Sequence, residues 1–152
     1  MIRVLALIPV LLLAGCLVVD DRPPLQIAGV GQVSLSFLPV FDVPDDVEDA
    51  LDEAFDDEAF IRGIDFDPSV GGTVGISSYV SVVASGSGTL VIYVFDFADR
   101  AGNRLLRVGG QMSSPKSPDN PWEVLDYDLA RDIAEEVLGE FEDWLEQNGV
   151  RV

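Results

Sequence analysis

The side chains able to do covalent or acid–base chemistry in this sequence are few in kind. There is one thiol, Cys16, no histidine, a single lysine, Lys116, and 27 carboxylates. Without an imidazole, the hydroxyls of Ser77, Ser78, Ser81, Ser85 and Ser87 lack the usual general base, and no Gly-x-Ser-x-Gly turn presents any of them. Lys116, the other basic candidate, falls in a proline-rich stretch. A carboxylate pair of the kind that hydrolyses glycosides can be drawn anywhere among so many acids, so a pair alone carries no information. Asp96, Asp99 and Asn103 could offer oxygens to Ca²⁺, an ion that takes about six to eight of them. The same residue types beside Gly102 close a turn through their own backbone, and the spacing is not that of an EF-hand loop. Asp65-Phe66-Asp67 is open to the same two readings. Catalysis, a metal and a cofactor are therefore not expected.

Cys16 has a different context. Met1-Ile2-Arg3 precedes an apolar run from Val4 to Leu13, and the run ends in Leu13-Ala14-Gly15-Cys16. One positive charge, about ten apolar residues and then small residues is the layout of a secretory signal, too short to span a bilayer as a helix. A plain cleaved signal with an incidental cysteine, or a short membrane helix, is the alternative. An unpaired thiol in an oxidising compartment would then want explaining. The four residues ending at Cys16 resemble a bacterial lipobox. That resemblance implies diacylation of the thiol, cleavage before Cys16 and acylation of the new N-terminus. Two or three acyl chains anchor stably, where one gives only marginal binding. In enterobacterial lipoproteins an Asp just after the cysteine favours inner-membrane retention. Leu17 stands there, with Asp20 and Asp21 further on, so the resemblance favours the outer membrane over the inner, facing the periplasm.

The 152 residues carry 9 basic and 27 acidic side chains, a formal charge of −18, and loss of residues 1–15 with Arg3 would make it −19. Nucleic-acid binding is excluded, because neutralising phosphates needs clustered Lys and Arg. Docking of the body on anionic headgroups is disfavoured for the same reason. The acidity fits a basic partner, a cation-rich surface or a saline habitat equally. A hydrophobic share of 48% is too high for disorder, and with one cysteine any core holds without an internal disulfide.

Residues 1–15 read as signal, 16–32 as lipidated cysteine and tether, marked by Pro23-Pro24, and 33–152 as a single domain. Val33, Leu35 and Phe37 alternate with polar residues between Gln32 and Phe41, predicting a strand limited by Pro39. Asp45 is the expected N-cap of a helix whose stripe is Val47, Ala50, Leu51, Ala54, Phe55 and Ala59, stopped by Gly63. Residues 64–72 read as irregular. Thr73–Ala84, Gly88–Ala98 and Arg104–Met112 predict three strands joined by turns. Thr89 to Phe95 is apolar at nearly every position and predicts a central strand covered on both faces. After a loop over 113–121, a last helix runs from an N-cap at Asp126 to Gln147. Leu129, Ile133, Ala134, Val137, Phe141, Trp144 and Leu145 form its stripe. The expected fold is α+β: a two-layer sandwich ordered strand, helix, three-strand antiparallel meander, helix.

Two surfaces are candidates for recognition. Ten acids lie between Asp42 and Glu58 with no base, either as a solvated face or as an interface in which Asp49, Asp52 and Asp56 meet a basic partner. Trp122 either lids the sheet edge or stands exposed as an anchor; Trp144 belongs to the core stripe.

Gly88-Thr89-Leu90-Val91-Ile92-Tyr93-Val94-Phe95-Asp96, then Ala101-Gly102-Asn103-Arg104-Leu105, Gly110-Gln111, Pro121-Trp122 and a helix ending at Trp144-Leu145 form a recognisable series. It resembles small alphaproteobacterial lipoproteins with a lipobox, a linker and one α/β domain. The strand, turn and strand resemble, more distantly, the periplasmic domains of LpoB-like penicillin-binding-protein activators and the N-terminal domain of TolB. Such a likeness concerns fold and transfers no activity, and no functional residue carries over. The expectation is a lipid-anchored envelope protein serving another envelope protein as a non-catalytic accessory or scaffold. A module for a small ligand or cation, with a pocket bounded by Val80, Tyr93, Phe95 and Phe141, is the second expectation, and a hydrolase the third.

Overall fold

In a computed structural model, residues 33–40, 42–66, 72–86 and 88–150 are described. The signal segment, Cys16 and the tether lie outside them. The elements in chain order are β1 (Ser34–Phe37), α1 (Asp45–Arg62), β2 (Asp65–Phe66), β3 (Val74–Ser85), β4 (Gly88–Asp99), β5 (Arg104–Ser114), a 3₁₀ turn (Pro121–Val124) and α2 (Tyr127–Gln147). The fold is α+β. Five strands lie in the order β2-β1-β3-β4-β5, with β1 parallel to both neighbours and β3 to β5 an antiparallel meander. The segment expected to be irregular thus contains β2. Two residues are too few to show a period, and pairing of Ser34 with Asp65 and Leu35 with Phe66 makes the strand.

Alternation builds the layers. Val74 and Ile76 on β3, and Val91, Tyr93, Phe95 and Phe97 on β4, are buried toward the helices. From α1 come Val47, Leu51, Ala54, Phe55 and Ala59, and from α2 Ala130, Ile133, Ala134, Val137, Leu138, Phe141 and Leu145. The rings interlock, with centroids 5.0 Å apart for Phe37–Phe55 and Phe55–Phe95, and Phe97 stacked on Phe141 at 4.4 Å. Each such ring contributes about 1.5–3 kcal/mol by leaving water. Tyr93, Phe95 and Phe141 are fully buried in this cluster, so the space expected to hold a ligand is occupied by their own side chains.

The α1 N-terminus departs from expectation. Asp45 is already helical, and extended Pro44 precedes it without a side-chain cap. The Pro44 carbonyl accepts from the Val47 and Glu48 amides, leaving Asp45 and Asp46 to face the positive end of the helix dipole. At the other end Gly63 adopts φ 70°, a left-handed stop that a residue with a side chain would strain. Asp126 caps α2 as expected, its carboxylate accepting from Leu129 N at 3.2 Å.

Candidate interaction surface

The helices cover one face of the sheet. On the other face β3 presents Gly75, Ser77, Tyr79, Ser81 and Val83, and β4 presents Leu90, Ile92, Val94, Asp96 and Ala98. Register sets Val83 beside Leu90 and Tyr79 beside Val94, with Ile92 between these rows. Tyr79 is 62% exposed, and Val83 and Ile92 are exposed too. The apolar run of β4 is therefore covered on one face only. Its outward residues form an exposed apolar strip, where the sequence predicted burial on both sides; the two helices among the described residues both lie on the first face.

One end of this strip is basic. Asp96 stands opposite Arg107 and takes a two-pronged ion pair from it, at 2.7 Å from Nε and 2.5 Å from Nη2, with Arg104 at 3.8 Å. The Arg107 hydrogen bond is the main cause that holds the Asp96 carboxyl below its ordinary range. From Val74 to Ser114 there are two acids and three arginines, whereas α1 carries nine acids with Arg62 and α2 eight acids with Arg131. The molecule is thus polarised, with a strongly acidic helix layer behind an apolar, hydroxyl-bearing sheet face that ends in arginines.

The residues singled out from the sequence fall on both sides. Asp49 and Asp56 are exposed on α1, and Asp52 is half-buried. Burial first, and then Asp56, Glu48 and Asp49, push the Asp52 carboxyl above its ordinary range. Two members of the acidic run have partners within the domain. Glu58 is buried and bonded to Arg62 at 2.7 Å, and Asp57 accepts from the Tyr127 hydroxyl at 2.6 Å. Trp122 is half-buried against the core in the 3₁₀ turn, its amide donating to Asn120 Oδ1 at 3.3 Å. That turn packs on β3, which pairs with β1 only from Val74 to Ile76. Trp144 is only half-buried, stacked 6.0 Å from Phe141.

Among the groups considered for chemistry, Asp99 and Lys116 have partners within the domain. Asp99 accepts from Ala101 N at 2.9 Å, Asn103 N at 2.8 Å and Asn103 Nδ2 at 2.9 Å, which closes the β4–β5 turn. Those bonds, Asn103's side chain foremost, lower the Asp99 carboxyl. Asp65 lies in β2, and Asp67 is outside the described residues. Ser78 is buried under the helices, while Ser77 and Ser81 lie on the open face. Lys116 Nζ rests 3.3 Å from Asp126. No helix among the described residues is long and apolar enough to cross a membrane.

The open face was missed because its residues alternate with core residues that are just as apolar. The charge balance from Val74 to Ser114 was the available signal. Comparison with protein-family models and with curated proteins gives no match. Among solved structures the chain is similar to a dodecamer of a PelC variant from Paraburkholderia phytofirmans, with a TM-score of 0.48 and 14% identity, over 70% of this chain and 84% of that one.

Proposed function

We propose that this chain is an envelope lipoprotein, anchored through Cys16 on the periplasmic side of the outer membrane, and that it serves another envelope protein as a non-catalytic accessory or scaffold. The observation that carries the reading is the sheet face left exposed by the described residues. Tyr79, Val83 and Ile92 are exposed along a strip that ends, beyond Tyr79, at Arg107 and Arg104, on a molecule whose other layer is strongly acidic. A patch of this kind is stabilised by a partner that buries the apolar strip and brings acidic groups to the arginines. The acidic helix layer keeps the domain soluble and turns away like-charged neighbours, so orientation on the partner follows from charge.

Tyr79→Ser with Ile92→Ser tests this directly. Both side chains are exposed, so the fold survives their loss. The double variant is expected to lose its partner on purification from crosslinked cells and to fail to complement a deletion strain. Asp49→Asn with Asp56→Asn is expected to keep both. Retained partner and complementation in the Tyr79/Ile92 variant would overturn the proposal.

A further inference from the structure

We infer that the end of the domain bearing Phe60 and Ile61 rests on a phospholipid surface, the one to which Cys16 is attached, with these two side chains entering the interface. This rests on the lipoprotein reading above. Phe60 is 84% and Ile61 73% exposed, the two most exposed large apolar side chains among the described residues. They lie off the inward stripe of α1, which Val47, Leu51, Phe55 and Ala59 complete without them. Packing among the described residues gives no reason for either.

Their position in the fold supplies one. Gly63 and Ile64 join α1 to β2, whose first residue, Asp65, pairs with Ser34 at the start of β1. Asp65 is four residue steps from Ile61, a reach of at most about 14 Å, and paired strands are about 4.8 Å apart. The apolar pair therefore flanks the point where the chain arrives from Cys16. Arg100 marks the same end, with its Nε donating to the Gly72 carbonyl at 3.3 Å, close to β1. Tyr79 stands five residues up β3 from Val74, on the opposite layer and about 17 Å from this end.

The chain between Cys16 and Val33 is 16 residues, a covalent reach of at most about 55 Å. An anchor this close holds the domain at an effective concentration of about millimolar beside the bilayer, so insertion of two side chains need not be strong by itself. Phe and Ile gain by entering the interface as they would in an amphipathic surface helix. The acids of the helix layer, with exposed Asp57 and Asp56 close in sequence to Phe60, and exposed Asp65 close to Ile61, oppose approach to anionic headgroups. The fitting surface is zwitterionic.

The test uses full-length lipidated protein in phosphatidylcholine vesicles. Acylation consumes the Cys16 thiol, so Ile61→Cys or Tyr79→Cys takes one environment-sensitive fluorophore, at a surface position in either case. The label at 61 is expected to shift to the blue and to lose emission to lipids carrying a quencher near the headgroup, with a smaller loss when phosphatidylglycerol is added. The label at 79 is expected to show neither change. A label at 61 that behaves like the one at 79 would overturn the inference while leaving the anchor in place. Absence of acyl mass on the N-terminal peptide, with fluorophore found on Cys16, would overturn the anchored reading itself.

Discussion

Arg62 and Glu142 form an ion pair at 2.7 Å that joins the last turn of α1 to α2 across 80 residues of chain. The same guanidinium holds the buried Glu58 carboxylate at 2.7 Å and donates to the Glu135 carbonyl at 3.2 Å. The guanidinium passes over Gly139, where a methyl group would lie 3.7 Å from its nitrogens, an ordinary contact. One side chain thereby fixes how the two helices of the acidic layer sit together.

Arg62→Ala is expected to destabilise the fold by about 2 kcal/mol, chiefly because Glu58 is left buried without its cation. Arg62→Lys should restore part of this, since an ammonium cannot reproduce the forked contacts. The urea midpoint measures both, and an unchanged midpoint in the alanine variant would contradict this role.

Tyr93 provides a pH signature. Its hydroxyl oxygen is buried and closes no hydrogen bond among the described residues, though the Glu136 carboxylate stands near. Burial first, and then Glu136, raise the phenol well above its ordinary value of 10.0. The folded state thus keeps a proton that the unfolded chain releases above pH 10. Stability is full below that pH and falls as pH rises, by about 1.4 kcal/mol per unit until the folded phenol ionises. Tyr93→Phe should change stability little at neutral pH and remove this alkaline loss, as followed by denaturation at pH 9 to 11. A second constraint acts at the same ring. A methyl group on Gly110 would lie 2.6 Å from the Tyr93 ring carbon Cζ, so Gly110→Ala should cost about 1–3 kcal/mol.

The acidic helix makes a salt prediction. Asp52 has Glu48 and Asp56 one turn away on either side, and each like-charged pair of this kind costs about 0.2–0.5 kcal/mol. Its raised carboxyl pKa means that the fold is favoured at low pH and loses that contribution as pH rises through the folded value. Asp49→Asn, Asp52→Asn and Asp56→Asn together should stabilise the protein at neutral pH and low salt, and should flatten its salt dependence. Asp57 is left unchanged because it holds Tyr127. A salt dependence equal to that of the wild type would reject the repulsion argument.

The helices and the meander were legible because their apolar residues keep period 3.6 or period 2 over many turns. Asp126 and Gly63 marked helix ends by side-chain chemistry and left-handed backbone respectively. Pro44 did not, since a carbonyl cap leaves no trace in residue type. β2 was invisible at two residues. Asp49, Asp56 and Asp57 are exposed, whereas Glu58 looks like them in sequence and is buried against Arg62, four residues on; the bond from Asp57 to Tyr127 spans 70 residues. The open face was hidden by the same logic: Ile92 and Val91 are chemically alike, and only the number of covering helices decides which meets water.

Cys16→Ser is expected to abolish incorporation of labelled palmitate and to leave the body unprocessed or released from the membrane fraction. Label retained on the variant would contradict a lipid anchor at this cysteine.

The most direct measurement is site-specific photocrosslinking in cells, with the reactive group placed in turn at Tyr79 on the open sheet face and at Asp52 on α1. The account predicts a discrete adduct with one envelope protein from position 79, lost when Ile92→Asp is added, and no such adduct from position 52. An adduct from position 52 alone, or one from position 79 that survives Ile92→Asp, would contradict it.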